Sequence, residues 1–214
     1  MSWTRARTDD KKNERKEAIY QAAFVLFKTK GYEGVSFNSI ATEAGFTKSN
    51  MYRYFSSKEE IFLNIFAELF EVWFEDICGR LQKLDENEDP KCFAKTWVES
   101  LLAHPRFLDL TPILFISLEK NSSYEQLYEF KTLSSRLLYQ ITVEIIRVYP
   151  EFNSEKAFKF LSLSYAAMST SWAANSQNEA LEKLYQQAEF QALAPNFEHD
   201  LMTSLEVVIY GLKK

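Results

Sequence analysis

Turn-forming residues are scarce: the 214-residue chain has five glycines and five prolines. That scarcity argues against a many-turned β architecture and for long helices. Cysteine is scarcer still. Cys78 and Cys92 share no CxxC spacing, so neither a disulfide framework nor a cysteine zinc site is expected, and reduced thiols are. His104 and His199 are the two histidines, and neither has a Cys or carboxylate at ligand spacing. His199 and Asp200 are neighbours, whose side chains diverge on a helix. There is no glycine-rich phosphate loop and no nucleophile elbow. The chain is therefore not expected to be an enzyme, and no catalytic residue, metal or cofactor is assigned. Its first residues are charged and show no apolar run like a signal peptide, so none is expected. The apolar stretch over residues 133–149 carries Arg136, Glu144 and Arg147, so it is not expected to span a membrane. A cytoplasmic location follows as an expectation.

What the chain does have is apolar bulk and an uneven charge. Apolar residues make up 46%, with 18 Phe and 11 Tyr, enough for a substantial core. The net charge of −5 hides two opposite parts. Residues 1–58 hold 11 Lys/Arg against 6 acids, a net of +5, which leaves −10 for the remainder. A basic head on an acidic body suits a protein that sets one end on a polyanion.

Apolar spacing predicts an all-α protein. Residues 1–12 are polar and charged, the composition of a flexible basic arm. Ile19, Ala22, Ala23, Leu26 and Phe27 form one helical stripe within a helix from Asn13 to Thr29. A long helix over 58–84 follows, with Ile61, Ile65, Leu69, Trp73, Ile77 and Leu81 in one row and Phe62, Phe66 and Phe70 beside it. Such a helix would link head to body stiffly. Asp89-Pro90 and Thr111-Pro112 each start a helix, the second running through Lys120. Ser122 with Glu125 opens a long one that stops at Tyr149-Pro150. Asn153 or Ser154 starts the next, and a last helix covers 196–212. Residues 181–193 fit a helix but are polar. The expected organisation is an arm (1–12), a DNA-binding domain (13–57) and a C-terminal body (58–214).

Residues 36–58, SFNSIATEAGFTKSNMYRYFSSK, carry the functional signal. Ser36 caps a short helix whose apolar face is Ile40, Ala41 and Ala44, and Gly45 supplies the positive φ that ends it. Thr47 caps a second helix, Lys48 to Tyr54. Ser57 with Glu60 forms a capping box for the third. Two short helices about a glycine turn, the second basic and polar, are the layout of a helix-turn-helix. Ile19, Ala23, Phe27, Ile40, Phe46, Met51 and Tyr52 are its expected core.

Gly31-Tyr32, Ile40-Ala41, Ala44-Gly45, Tyr52, Tyr54-Phe55 and Ser57-Lys58-Glu59 fall where the tetracycline-repressor (TetR) family of bacterial regulators has them. Over residues 14–64 the chain resembles that family. The likeness implies a homodimeric DNA-binding repressor whose C-terminal helical bundle dimerises and senses a small molecule.

A helix entering the major groove needs side chains that reach base edges. Lys48 and Arg53 match guanine acceptors, Asn50 pairs with adenine, and Ser49 is short and polar. Asn50 stands where many relatives carry a small residue or glycine, so its operator is not read from theirs. Tyr52 and Tyr54 can set hydroxyls on phosphates, and Lys58, at a helix N-terminus, is a natural phosphate clamp. Ser36 and Asn38 are carried over from the resemblance as backbone contacts, and Thr47 at its cap completes the set. Arg5, Arg7, Lys11 and Lys12 are candidates for a minor-groove or phosphate arm.

The expected partners are double-stranded DNA with a palindromic operator, a second copy of the chain and a small effector, with no membrane. The last two helices are the dimer candidates. Ala166, Ala167, Ser169, Ala173 and Ala174 permit close approach, and Trp172 with Val208, Ile209 and Leu212 supplies area. Of 33 aromatics, 23 lie beyond residue 58. Phe107, Phe115, Tyr124, Tyr128, Phe130, Tyr139, Tyr165 and Trp172 would suit an apolar or aromatic effector, although aromatics at helical spacing more often form core. The alternative reading is a DNA-binding adaptor whose body binds a protein.

Overall fold

The computed structural model describes the backbone of residues 2–176 and 178–214, and the side chains of 11–176 and 178–214. Every regular element among them is helical. In order these are α1 (Ser2–Lys30), α2 (Phe37–Glu43), α3 (Lys48–Met51), α4 (Lys58–Leu81), α5 (Pro90–Leu102), α6 (Pro105–Leu110), α7 (Tyr124–Val148), α8 (Ser154–Asn175), α9 (Glu179–Tyr185) and α10 (Phe197–Leu212). No single helix among the described residues is long and apolar enough to cross a membrane.

Several local readings are corrected. The first helix begins at Ser2 instead of Asn13, so the segment read as a flexible arm is helical from its second residue. Lys and Arg propagate a helix well, and a polar extension leaves no apolar stripe to mark it. Proline at the first position of α6 begins a further short helix directly after α5, one that the sequence reading did not include. Residues 111–121 are not one helix but two 3₁₀ turns flanking a π-helical turn, Leu114–Leu118. The capping box of α7 is Ser123 with Gln126, not Ser122 with Glu125: the Gln126 amide donates to Ser123 Oγ (3.3 Å) and the Ser123 amide to Gln126 Oε1 (3.1 Å). The polar 181–193 segment divides into α9 and a 3₁₀ turn at Gln191–Leu193.

The chain forms two compact units, Met1–Phe66 with Phe115–Phe130, and Ala67–Leu114 with Lys131–Lys214. The division falls within α4 and α7, in place of the 57/58 boundary expected, and gives the first unit a segment remote in sequence. Gln126 Nε2 donates to Ser56 Oγ (3.3 Å), and Phe130 meets Phe66 edge-on at 5.8 Å.

In the first unit Ile19, Ala23, Ile40 and Met51 are fully buried, as expected. Phe27 and Phe46 are half-buried, and Tyr52 is 55% exposed. Tyr20, Phe24, Tyr32, Val35 and Phe55 fill the core instead. Tyr20 lies 5.6 Å from Phe55, and Tyr32 sits edge-on to Phe62 at 5.4 Å.

The second unit is built on aromatic packing. Trp73 stacks on Phe107 (5.3 Å) and meets Trp97 edge-on (5.6 Å), while its indole N–H donates to Ser100 Oγ (3.1 Å). Phe160 lies edge-on to Phe93 (5.6 Å) and Trp97 (5.2 Å). The proposed lining aromatics therefore separate: Phe107 and Phe130 are packed core, whereas Phe115, Tyr124, Tyr128 and Tyr139 are exposed. α10 packs on α8 and α5. Ile209, expected at a dimer face, is buried in this core, and Trp172 donates to Asp109 Oδ1 (3.2 Å) and meets Phe197 edge-on (4.8 Å). Outward on these helices are Ala166, Ala173, Ala174, Val207 and Tyr210.

Phe93 is fully buried against Trp97, Tyr149 and Phe160. Phe93→Ala is expected to cost about 3–5 kcal/mol in denaturant unfolding. A loss below about 1 kcal/mol would show that this aromatic cluster does not hold the body.

Candidate nucleic-acid interface

The reading head rests on capping and one glycine. Ser36 and Ser39 cap α2 reciprocally: the Ser39 amide donates to Ser36 Oγ (3.1 Å) and the Ser36 amide to Ser39 Oγ (2.9 Å). After Ala44 the backbone turns at Gly45 with φ +73°, a conformation costly for other residues. Thr47 then caps α3, its hydroxyl accepting from the Asn50 amide at 3.3 Å. Regular α-helix ends at Met51, and residues 52–54 continue as a tighter turn, with the Arg53 amide reaching Asn50 O (3.2 Å) and Tyr54 reaching Met51 O (2.9 Å). The second helix is thus shorter than the 48–54 expected.

Met51 is wholly buried, which fixes the outward face of α3. Lys48, Ser49, Asn50 and Arg53 are exposed, together with Ser36, Asn38 and Thr47. Ser36 and Thr47 use their oxygens as caps, and each hydroxyl keeps its own proton to donate. Tyr52 lies outside with them, its ring 5.0 Å from Phe37 and 5.9 Å from Lys48 Nζ. The sequence assigned Tyr52 both to the core and to the DNA face, and it lies on the exposed side.

Two expected contacts look different in three dimensions. Lys58 does not extend outward: its ammonium donates to Val35 O (3.0 Å) and Tyr32 O (3.3 Å) and sits 4.2 Å from the Tyr32 ring centroid. The Tyr32 hydroxyl donates to Glu59 Oε1 (3.2 Å), and burial, then the charge and hydrogen bond of Glu59, hold this phenol protonated well above its usual range. Lys58 and Glu59 thereby tie the start of α4 to the loop before α2. Glu60 accepts from Ser56 through its carboxylate while its amide donates to Ser57 Oγ (3.0 Å). Tyr54 is half-buried, and its hydroxyl accepts from Arg15 Nη1 at 3.0 Å. That hydrogen bond, reinforced by the charge interaction, keeps Arg15 even more firmly protonated. Arg15 was not among the expected site residues, because its place in a run of mixed charge gave no signal. Lys11 and Lys12 are exposed on α1, while the side chains of Arg5 and Arg7 lie outside the described residues.

Residues 19–65 match the family described as bacterial regulatory proteins, tetR family, and residues 67–214 match the tetracyclin repressor-like C-terminal domain, which alone spans more than half the chain. The chain belongs to the TetR family. Among curated relatives, the uncharacterized HTH-type transcriptional regulator YfiR of Bacillus subtilis is 30% identical over 94 residues, 44% of each chain. The HTH-type transcriptional regulator RutR of Escherichia coli K12 is 34% identical over 59 residues, 28% of each. The similarity therefore spans less than half the length of these relatives. Solved structures share the TetR-family fold across nearly the whole chain. Thermus thermophilus FadR, a repressor in complex with lauroyl-CoA, superposes with a TM-score of 0.57 at 15% identity, covering 92% of this chain and 94% of that one. A putative TetR-family regulator from Syntrophomonas wolfei gives 0.58 at 17%, covering 94% and 96%.

Because Lys58 is half-buried and held by two carbonyls and a ring, Lys58→Met should lower the stability of this TetR-family head by about 1–3 kcal/mol in thermal or denaturant unfolding. An unchanged unfolding curve would show that the latch is incidental.

Proposed function

We propose that this protein is a homodimeric, sequence-specific DNA-binding regulator, a repressor released by a small apolar or aromatic effector. The observation that carries the reading is the face of α3. One buried methionine roots a turn of helix whose exposed side chains are a lysine, a serine and an asparagine, with Tyr52 and Arg53 just beyond. Lys48, Ser49, Asn50 and Arg53 reach base edges in the major groove. Tyr52, Tyr54, Ser36, Asn38 and Thr47 donate to the sugar–phosphate backbone. Lys58 acts by holding the loop that presents α2.

Dimerisation through α8 and α10 is supported by their small and apolar outward residues, Ala166, Ala173, Ala174, Val207 and Tyr210. A dimer reads two half-sites on successive major-groove turns, roughly 34–36 Å apart, so a small change in the spacing of the heads loses the fit. An effector that weakens DNA binding is bound less well by the DNA-bound form. Space of ligand size exists in the body. A groove of ≈ 590 Å³ is bordered by Lys131, Ser134, Leu138, Tyr139 and Phe158, and the buried Ser134 hydroxyl has no hydrogen-bond partner. The similarity in fold to a regulator solved with lauroyl-CoA agrees with an effector carrying an apolar chain.

The test is Arg53→Ala, measured against duplexes that vary the preferred site one base pair at a time. Discrimination at one base step should fall by roughly 1–3 kcal/mol while the other steps keep theirs. Unaltered discrimination at every step would remove Arg53 from the reading face.

A further inference from the structure

Lys58, the cation expected to clamp the DNA backbone near the end of the reading helix, is held by Val35 O, Tyr32 O and the Tyr32 ring. At the turn that follows α3, a different cation meets the phenol of Tyr54. Arg15 donates one N–H from Nη1 to Tyr54 Oη at 3.0 Å. A guanidinium has five such donors, so four remain. The Tyr54 oxygen accepts this bond and still carries its own proton, for which no acceptor occurs among the described residues. Arg15 is exposed. It is charged at any pH the protein meets.

The geometry points to Arg15 and Tyr54 as a paired phosphate clamp, a guanidinium fork and a phenol O–H that together engage one backbone phosphate of the DNA. This rests on the DNA-binding reading above and adds a residue to it. The chemistry favours phosphate for three reasons. Both groups present donors, and a phosphate offers acceptors alone. Arginine's planar fork matches two phosphate oxygens better than a point charge does. Tyr54 also holds the guanidinium in one place, so less freedom is lost when the anion arrives. The surroundings on α1 agree. Lys11 lies one turn earlier (i−4) and Lys12 beside it (i−3), both exposed, so cations continue along the same helical face. Of the nearby acids, Glu17 accepts from Gln21 Nε2, and Glu14 points to another sector of the helix as Arg15's immediate neighbour. Lys16 lies with its ammonium 5.9 Å from the Phe55 ring.

A plain structural tie between α1 and the turn would show the same hydrogen bond, so the test must read charge. Binding of the full-length protein to its preferred duplex and to a random duplex is titrated between about 50 and 200 mM salt. Arg15→Gln should weaken both complexes about tenfold and reduce the slope of log affinity against log salt by about one unit. Tyr54→Phe, which removes a neutral donor, should weaken both roughly threefold with the slope retained. In the double variant the losses should be less than additive, because the two groups act as one.

Arg15→Gln with unchanged affinity and slope overturns the clamp, whatever its melting temperature. So does a slope that falls with Lys58→Ala and not with Arg15→Gln. The wild-type protein separates this from the broader reading. If it binds preferred and random duplexes equally, sequence-specific regulation fails; a slope that still falls with Arg15→Gln then keeps the clamp as a general DNA contact.

Discussion

The complete burial of Met51 is the constraint on which the reading head depends. A helix of one turn has no stability of its own, since nucleation costs more than so few hydrogen bonds return. α3 exists because Thr47 caps its start, Gly45 lets the chain reverse before it, and Met51 is wholly buried in the first unit. Phe55, also buried, closes the far end. With both ends rooted, Lys48, Ser49 and Asn50 between them fall on the exposed side. Replacing Gly45, Met51 or Phe55 would blur the register of the exposed face without touching any of its polar side chains.

A second layer of contacts fixes the parts around that face. Tyr32 is the node. It packs on Phe62, donates to Glu59, and lies under the ammonium of Lys58, so one aromatic ring joins the loop before α2 to the beginning of α4. The segment 115–130 belongs to this unit as well, through Gln126 on Ser56 and Phe130 on Phe66. The chain thus leaves the body at a π-helical turn, supplies a piece of the head, and re-enters the body within α7. π-helical turns often mark functional sites, and this one coincides with the change of unit.

Much of this was legible in the sequence, for identifiable reasons. Caps are local chemistry, so Ser36 and Thr47 announced their helices, and each side chain accepts from a backbone amide of the first turn. Gly45 was legible because its positive φ is a local demand. Membership of the TetR family was visible in fixed spacings over 14–64. What stayed hidden was tertiary or unpatterned. The helical start of α1 carries no apolar stripe. The choice between Ser122–Glu125 and Ser123–Gln126 turns on one residue of register. Lys58 reads from its position as an outward cation, and nothing local reveals the carbonyls of Tyr32 and Val35. Arg15 lies 39 residues from Tyr54, and such pairs appear only after folding. The body's aromatics were visible as bulk, but their division into core and surface was not.

The central claim is that α3 presents a sequence-reading face, doubled by dimerisation. Selection of bound sequences from a random duplex library, with purified protein at near-physiological salt, tests it most directly. An enriched palindrome whose half-sites lie about one helical turn apart is the expected result. Protein that is folded, dimeric and stripped of any captured ligand by unfolding and refolding, yet enriches no sequence, would contradict it.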